Sequence, residues 1–364
     1  MKRTAEFVTP KHPDKLADRI ADTLVDLFMG LDKNARVAAE VLAGHGDIHV
    51  IGEVTVKGHN QQEINDMSVD AIRVFIKNEN LPVPFIDVRL DKQSEEIAQG
   101  VDTGGAGDQG IVYGMATRET ENTGEYLPLD YCLARSLCQH LYERWPEDGK
   151  TQITIDGKTI TTIVASFANA EREEIESEIR HWLIKICSEY QVQPATPLEI
   201  LANPAGNWCK SGWDADTGLT GRKLAVDNYG GACPCGGGAY SGKDPSKTDR
   251  SAAYMTRYIS KTILQNARRT SLTGNPVKPS MVQTKLAYAI GKAEPVDATV
   301  LIRWEDGATT TSEIADFKES GFDFDVTPNG IIETLKLKDQ HYAKTAEWGA
   351  YGHKELTWEQ TNGQ

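Results

Sequence analysis

The chain has 364 residues, 39% of them hydrophobic and 25% charged, which is more than one hydrophobic core usually organises, so two or three folded domains are expected and long disordered tracts are not. A net charge of −14 opposes binding to nucleic acid or to an anionic membrane. No apolar run approaches the roughly 20 residues of a bilayer span and the N-terminal residues lack signal-peptide features, so a cytoplasmic protein is expected.

In chain order, Leu16, Ile20, Leu24, Leu27 and Phe28 recur at helical spacing, which predicts a helix over residues 14–29 with Pro13 as its first residue. Its free amides and dipole favour an anion at "HPDK". "DIHVIGEVTVKG" alternates as a strand from Ile48, and "NQQEINDMSVDAIRVFI" follows as a helix. "TQITIDGKTITTIVASF" predicts a hairpin around Asp156-Gly157, the pair that suits a type I′ turn. The next helix carries Ile175, Ile179, Trp182, Leu183 and Ile186 on one stripe, and "DATVLIRWEDGATTTSEIADFKE" again reads as strand, turn and polar helix start. Units beginning near Ile48, Ile153 and Val300 suggest an internally repeated α+β architecture, with antiparallel or mixed sheets and helices on one face of each.

Glycine clusters at residues 100–110, 217–223 and 228–244 are flanked by Asp, Arg and Lys, as expected of loops whose backbone approaches a ligand closely. The third contains Gly237-x-x-x-x-Gly242-Lys243, the spacing of a phosphate loop, but Asp244 stands where that motif has Ser or Thr. Pro245 restrains Asp244 away from helical angles, so a strand–loop–helix phosphate loop is not expected. The six cysteines lack metal-site spacing and are expected to be free thiols.

Cations gathered on so acidic a chain are informative. Arg222, Lys223, Lys243 and Lys247, with Asp216 and Asp249 beside them, fit a compact polyphosphate pocket better than a broad nucleic-acid face. His12, Asp14 and Lys15 at a helix start add a proton donor, a carboxylate and an ammonium, which suit a phosphate leaving group. Glu40 and Glu53 read, on pattern alone, as solvated strand residues.

Together "HPDKLADRIAD", "GAGDQG", "GLTGRK", "GGGAYSGKDPSKTDRSAAY" and "YAIGKAEP" resemble the S-adenosylmethionine synthetase family over nearly the whole chain. The resemblance implies a methionine adenosyltransferase: methionine sulfur attacks the ATP 5′ carbon in line, and the expelled tripolyphosphate is hydrolysed to phosphate and pyrophosphate. It implies three similar α+β domains about a pseudo-threefold axis, here residues 1–98, 106–212 and 214–360, with 99–105 a shortened active-site loop. It implies a homodimer or homotetramer with sites between subunits, ATP and L-methionine as ligands, and no nucleic-acid or membrane partner.

Carried over by motif, His12, Lys150, Arg222 and Lys243 are the implied catalytic residues. Lys15, Asp108, Asp148, Trp208, Asp216, Lys223, Ala239 and Ile290 join them around ATP and its polyphosphate. Glu53, Gln93, Asp216 and Lys247 are implied for methionine, Asp14 and Asp249 for two magnesium ions, and Glu40 for potassium. A thioether needs no base, so catalysis would rest on positioning and charge stabilisation.

The chain departs from the family pattern in four places. Thr9-Pro10-Lys11 replaces the usual Ser-Glu-Gly, Gly206-Asn207-Trp208 keeps an aromatic but loses an Arg, and Cys235 replaces a His. Only Thr103-Gly104 remains of a longer lid segment, so curtailed lid closure and faster ligand exchange are expected. The competing readings are an ATP-dependent kinase or ligase, and an inactive regulatory relative.

Overall fold

The computed structural model describes residues 2–93, 104–271 and 273–361. The elements, in order, are β1 (Lys2–Val8), α1 (Pro13–Leu31), β2 (Arg36–Gly44), β3 (Asp47–Thr55), α2 (Gln61–Asn78), β4 (Phe85–Asp91), β5 (Gly110–Thr117), α3 (Leu129–Arg144), β6 (Gly149–Asp156), β7 (Thr159–Phe167), α4 (Arg172–Glu189) and β8 (Gln193–Ala202). They continue with β9 (Gly218–Leu219), α5 (Leu224–Asp227), α6 (Thr248–Asn266), the ribbon β10 (Arg269–Thr270) and β11 (Pro276–Val277), β12 (Pro279–Tyr288), β13 (Asp297–Trp304), β14 (Thr309–Glu313), α7 (Pro328–Thr334) and α8 (Tyr342–Trp348).

Helix α1 begins where His12 caps it and Pro13 opens it. Its apolar positions Leu16, Ile20, Leu24 and Phe28 are fully buried, each contributing about 1.5–3 kcal/mol by removal from water. Helix α2 starts on a capping box in which the Asn60 side chain accepts the Glu63 amide and Glu63 answers the Asn60 amide.

The sheets are ordered β4-β3-β2-β9, β8-β7-β6-β1 and β14-β13-β12-β5. Two are mixed, since β3 pairs β4 and β7 pairs β8 in parallel, and the third is antiparallel. Each sheet is completed by the opening strand of a different repeat. The first repeat lends β1 to the second sheet, the second lends β5 to the third, and the third lends β9 to the first. This cyclic exchange is the three-domain α+β architecture expected from the repeat, and it joins segments far apart in sequence. Helices α1 and α2 cover one face of the first sheet, α3 and α4 one face of the second, and α6 one face of the third. The opposite faces leave Leu42, Ile51, Phe85 and Ile111 exposed.

Three local expectations change. The strand that the pattern marks only at Glu40 spans Arg36–Gly44 as β2, with Val37, Ala39, Val41 and Ala43 alternating inward. The hairpin turns on Gly157-Lys158 rather than Asp156-Gly157, because Asp156 pairs with Thr159; only Gly157 has positive φ there, which excludes type I′ and matches the preference for Gly first in a type II′ turn. The polar helix start after β14 is a 3-10 segment, Ile314–Ser320, ended by Gly321. As expected, the cysteines are free. Of the shortened loop, residues 99–103 lie outside the described residues.

Candidate active site

The N-terminus of α1 meets the loop 218–223 because β9 lies against β2. Gly218 allows that approach: a Cβ there would lie 2.0 Å from the Pro13 carbonyl oxygen. His12 is buried, and its Nδ1 accepts the Asp14 amide at 3.2 Å. In a neutral ring this leaves the proton on Nε2. Burial, reinforced by the ammonium groups of Lys223, Lys150 and Lys15, pushes the His12 pKa down to about 3. The ring is therefore neutral near pH 7, a hydrogen-bond donor among cations.

Asp14 links the two segments. Its Oδ1 accepts the Leu219 amide at 2.9 Å and lies 3.5 Å from Arg222 Nε, and its Oδ2 accepts Lys223 Nζ at 2.5 Å. Burial works against the charged form, but these bonds win and hold its pKa below the ordinary value. The fully buried Lys15 donates to Asp227 Oδ1 at 2.5 Å. Lys150, exposed at the start of β6, has no ion-pair partner among the described residues. Beside it, burial lifts the Asp148 pKa to about 6; Oδ2 accepts the Gly212 amide at 3.3 Å, while Oδ1 has no partner among the described residues. Asp148 also lines a cleft of about 450 Å³ with Lys11, Leu81 and Trp213.

A second group forms on the loop before α6. Lys243 Nζ donates to Asp249 Oδ2 at 2.8 Å, and Lys247 Nζ to Asp244 Oδ2 at 3.3 Å. The segment runs along β2, with the Ala39 amide donating to Gly242 O and the Asp244 amide to Val37 O. Gly242 needs its positive φ of 80°, and a Cβ would stand 2.0 Å from the Ala39 oxygen. Asp244 ties the loop in place: Oδ2 accepts the Val37 amide at 2.8 Å and Oδ1 the Ser246 amide at 2.8 Å. Helix α6 begins only at Thr248, so this is no phosphate loop, as the Asp-Pro pair led us to expect.

The remaining sequence candidates distribute around these groups. Glu40 contacts Thr220 through its side chain, joining β2 to the 218–223 loop. Glu53 is exposed and pairs in register with Ala38, which itself bridges to Lys243. The Gln93 amide donates to Thr55 Oγ1 at 3.3 Å. Asp108 and the exposed Ile290 share one end of the third sheet, where the Ala106 amide donates to Lys292 O and Gly291 to Ala106 O. Ala239 meets Gly221, so the two glycine loops touch. Asp216 is exposed and Trp208 half-buried. The structure thus joins His12, Asp14, Lys15, Lys150, Arg222 and Lys223 in one group, and Lys243, Lys247 and Asp249 in another.

Among the described residues no three His, Cys, Asp or Glu converge on a metal position. The carboxylates Asp14 and Asp249 nonetheless suit magnesium, which is often held by one or two carboxylates with phosphate oxygens and water completing its shell. Sequence reasoning missed Asp227, which neutralises Lys15, and the anchoring role of Asp244. The Asp244-Pro-Ser signature of a side chain capping its own turn was the available signal for the latter.

Comparison with known proteins follows the whole chain. The S-adenosylmethionine synthetase N-terminal domain matches residues 1–94, the central domain 103–208 and the C-terminal domain 211–360. The chain is 35% identical over 405 residues to the S-adenosylmethionine synthase of Mycolicibacterium gilvum, covering 99% of this chain and 96% of that one. It is 37% identical over 397 residues to the S-adenosylmethionine synthase of Leifsonia xyli, covering 98% and 95%. The solved structure titled "Structure of an Unusual S-adenosylmethionine synthetase from Campylobacter jejuni" superposes with a TM-score of 0.80 at 32% identity, over 99% of this chain and 97% of that chain.

Proposed function

This chain belongs to the S-adenosylmethionine synthetase family, whose enzymes are methionine adenosyltransferases, and we propose that it makes S-adenosylmethionine from ATP and L-methionine in the cytoplasm. The methionine sulfur donates an electron pair to C5′, the S–C5′ bond forms as C5′–O breaks, and the leaving electrons pass to the triphosphate chain. Water then divides the bound tripolyphosphate into phosphate and pyrophosphate. The observation that carries this reading is the neutral His12 among Lys15, Lys150 and Lys223 at a helix N-terminus, on a chain of net charge −14.

In this reading the His12 Nε2–H donates to the departing oxygen. Lys150, Arg222, Lys223 and Lys243 gather the charge that builds on the polyphosphate, and preorganised cations of this kind commonly supply the largest share of catalysis. Asp108, Asp148, Trp208, Asp216, Ala239 and Ile290 join Lys15 around ATP, and Glu53, Gln93, Asp216 and Lys247 orient methionine. Magnesium, two ions held through Asp14 and Asp249, would screen phosphate charge, and potassium would lie at Glu40. Asp14 and Asp249 each hold a lysine here, so ligand entry exchanges those pairs for phosphate contacts. A homodimer with sites between subunits accounts for the exposed sheet faces that carry Glu40 and Glu53.

Incubation with ATP, L-methionine, magnesium and potassium tests the proposal. Equimolar phosphate and pyrophosphate with S-adenosylmethionine are expected. ADP would indicate a kinase, AMP with pyrophosphate alone a ligase, and absence of turnover an inactive relative.

A further inference from the structure

Helix α1 carries an acid at every fourth position, Asp14, Asp18, Asp22 and Asp26, so all four lie on one face. Like charges at this spacing repel, and burying them is unfavourable without partners. Asp14, Asp18 and Asp22 are nevertheless buried. Each rung meets backbone amides from the far end of the chain. Asp14 accepts Leu219, Asp18 Oδ1 accepts Gly221 and Asp22 Oδ1 accepts Gly242, all at 2.9 Å; Asp26 accepts Tyr342 at 2.7 Å and Ala343 at 3.0 Å.

The two middle rungs are held differently from one another. Asp18 makes its hydrogen bond to Gly221 alone, and its Oδ2 has no hydrogen-bond partner among the described residues. Asp22 also binds the Arg250 guanidinium, which donates to the Tyr240 carbonyl through Nε at 2.9 Å and Nη2 at 2.6 Å. Both rungs therefore grip residues immediately beside Arg222, Lys223 and Lys243. Asp26, one turn further on, grips the start of α8.

We propose that Asp18 and Asp22 are positioning residues for adenosyl transfer, setting the 218–223 and 240–243 loops so that their cations meet the polyphosphate. This rests on the function proposed above. Asp18 acts as the acceptor of one amide, a role that Asn can share through its carbonyl oxygen. Aliphatic Leu fills similar space without an acceptor.

The test compares Asp18→Asn, Asp18→Leu, Asp22→Asn and Asp26→Ala in the full-length protein by melting temperature, kcat, KM for ATP, hydrolysis of supplied tripolyphosphate and tripolyphosphate affinity by calorimetry. Asp18→Leu is expected to lose at least about tenfold in kcat/KM for ATP, the cost of roughly one misplaced charge-assisted contact. Asp18→Asn should recover most of that loss, Asp22→Asn should be impaired because Arg250 loses its counter-charge, and Asp26→Ala should lower the melting temperature with kinetics unchanged. Folded Asp18→Leu with wild-type kinetics overturns the proposal, as does a loss in Asp18→Leu and Asp26→Ala that merely follows stability. Where Asp18→Leu does not fold, Asp18→Ala, which also lacks an acceptor, is judged by the same criteria. Wild-type protein without adenosyl transfer defeats the proposed function instead, and the tripolyphosphate affinities of the variants still decide the positioning role.

Discussion

His12 combines two properties that seldom coincide, burial among three ammonium groups and a ring nitrogen already committed to the helix cap. Because its pKa of about 3 lies far below the ordinary 6.5, the free enzyme should show no His12 ionisation between about pH 5 and 8. The sign for stability follows: below pH 6.5 the unfolded chain takes up this proton first, so the His12 contribution declines as pH falls toward 3. His12→Asn should lower kcat by about 10²–10³-fold, the usual cost of one oxyanion donor, and leave the pH profile of kcat/KM unchanged. Lys243→Met should be similarly impaired with an unaltered melting temperature, since the Lys243 side chain is half-buried and, among the described residues, held through Asp249. A new acid limb in His12→Asn, or unfolding of Lys243→Met, would contradict these assignments.

At the scale of elements, the C-terminal tail is pinned to α6 by a buried charge cluster. Glu359 accepts Arg257 Nε and Nη2 at 2.8 and 2.9 Å and Lys261 Nζ at 2.8 Å. Arg257 also donates to the carbonyls of Met115, Glu125 and Tyr126, so β5, its following loop and the tail share one guanidinium. Burial opposes the Glu359 charge, but Arg257 and Lys261 prevail and hold its pKa near 2. Its stabilisation is complete above the ordinary 4.5 and is lost as pH falls through about 2. Glu359→Gln leaves two buried cations short of a counter-charge and should destabilise by about 3–5 kcal/mol. Chemical denaturation at pH 7 reads this directly, and the difference from wild type should shrink in acid.

For the molecule as a whole, the exposed sheet faces set the expected assembly. Ile51 is 63% exposed opposite Glu40, with Leu42 and Phe85 nearby on the same sheet. Large apolar side chains gathered on a sheet face usually mark a covered surface. Sedimentation should give at least twice the 40.0 kDa chain mass. Ile51→Lys should yield a folded monomer without adenosyl transfer, whereas an active monomer would place the complete site within one chain.

The sequence by itself determined the local elements and the chemical inventory. Apolar spacing marked α1, β3, α2 and α4 closely, and residue type marked the glycine loops with their cations, because periodicity and residue type are local properties. The segment "GKDPSK" by itself argued against a phosphate loop through Pro245. Only the tertiary structure decided which partners those groups would have. Strand exchange between repeats brings Leu219 to Asp14 and Lys243 to Ala38, contacts about two hundred residues apart that carry no local pattern. The same folding turned Lys15 inward to Asp227 and Asp244 into an anchor for β2, since buried charges must find partners wherever the chain delivers them.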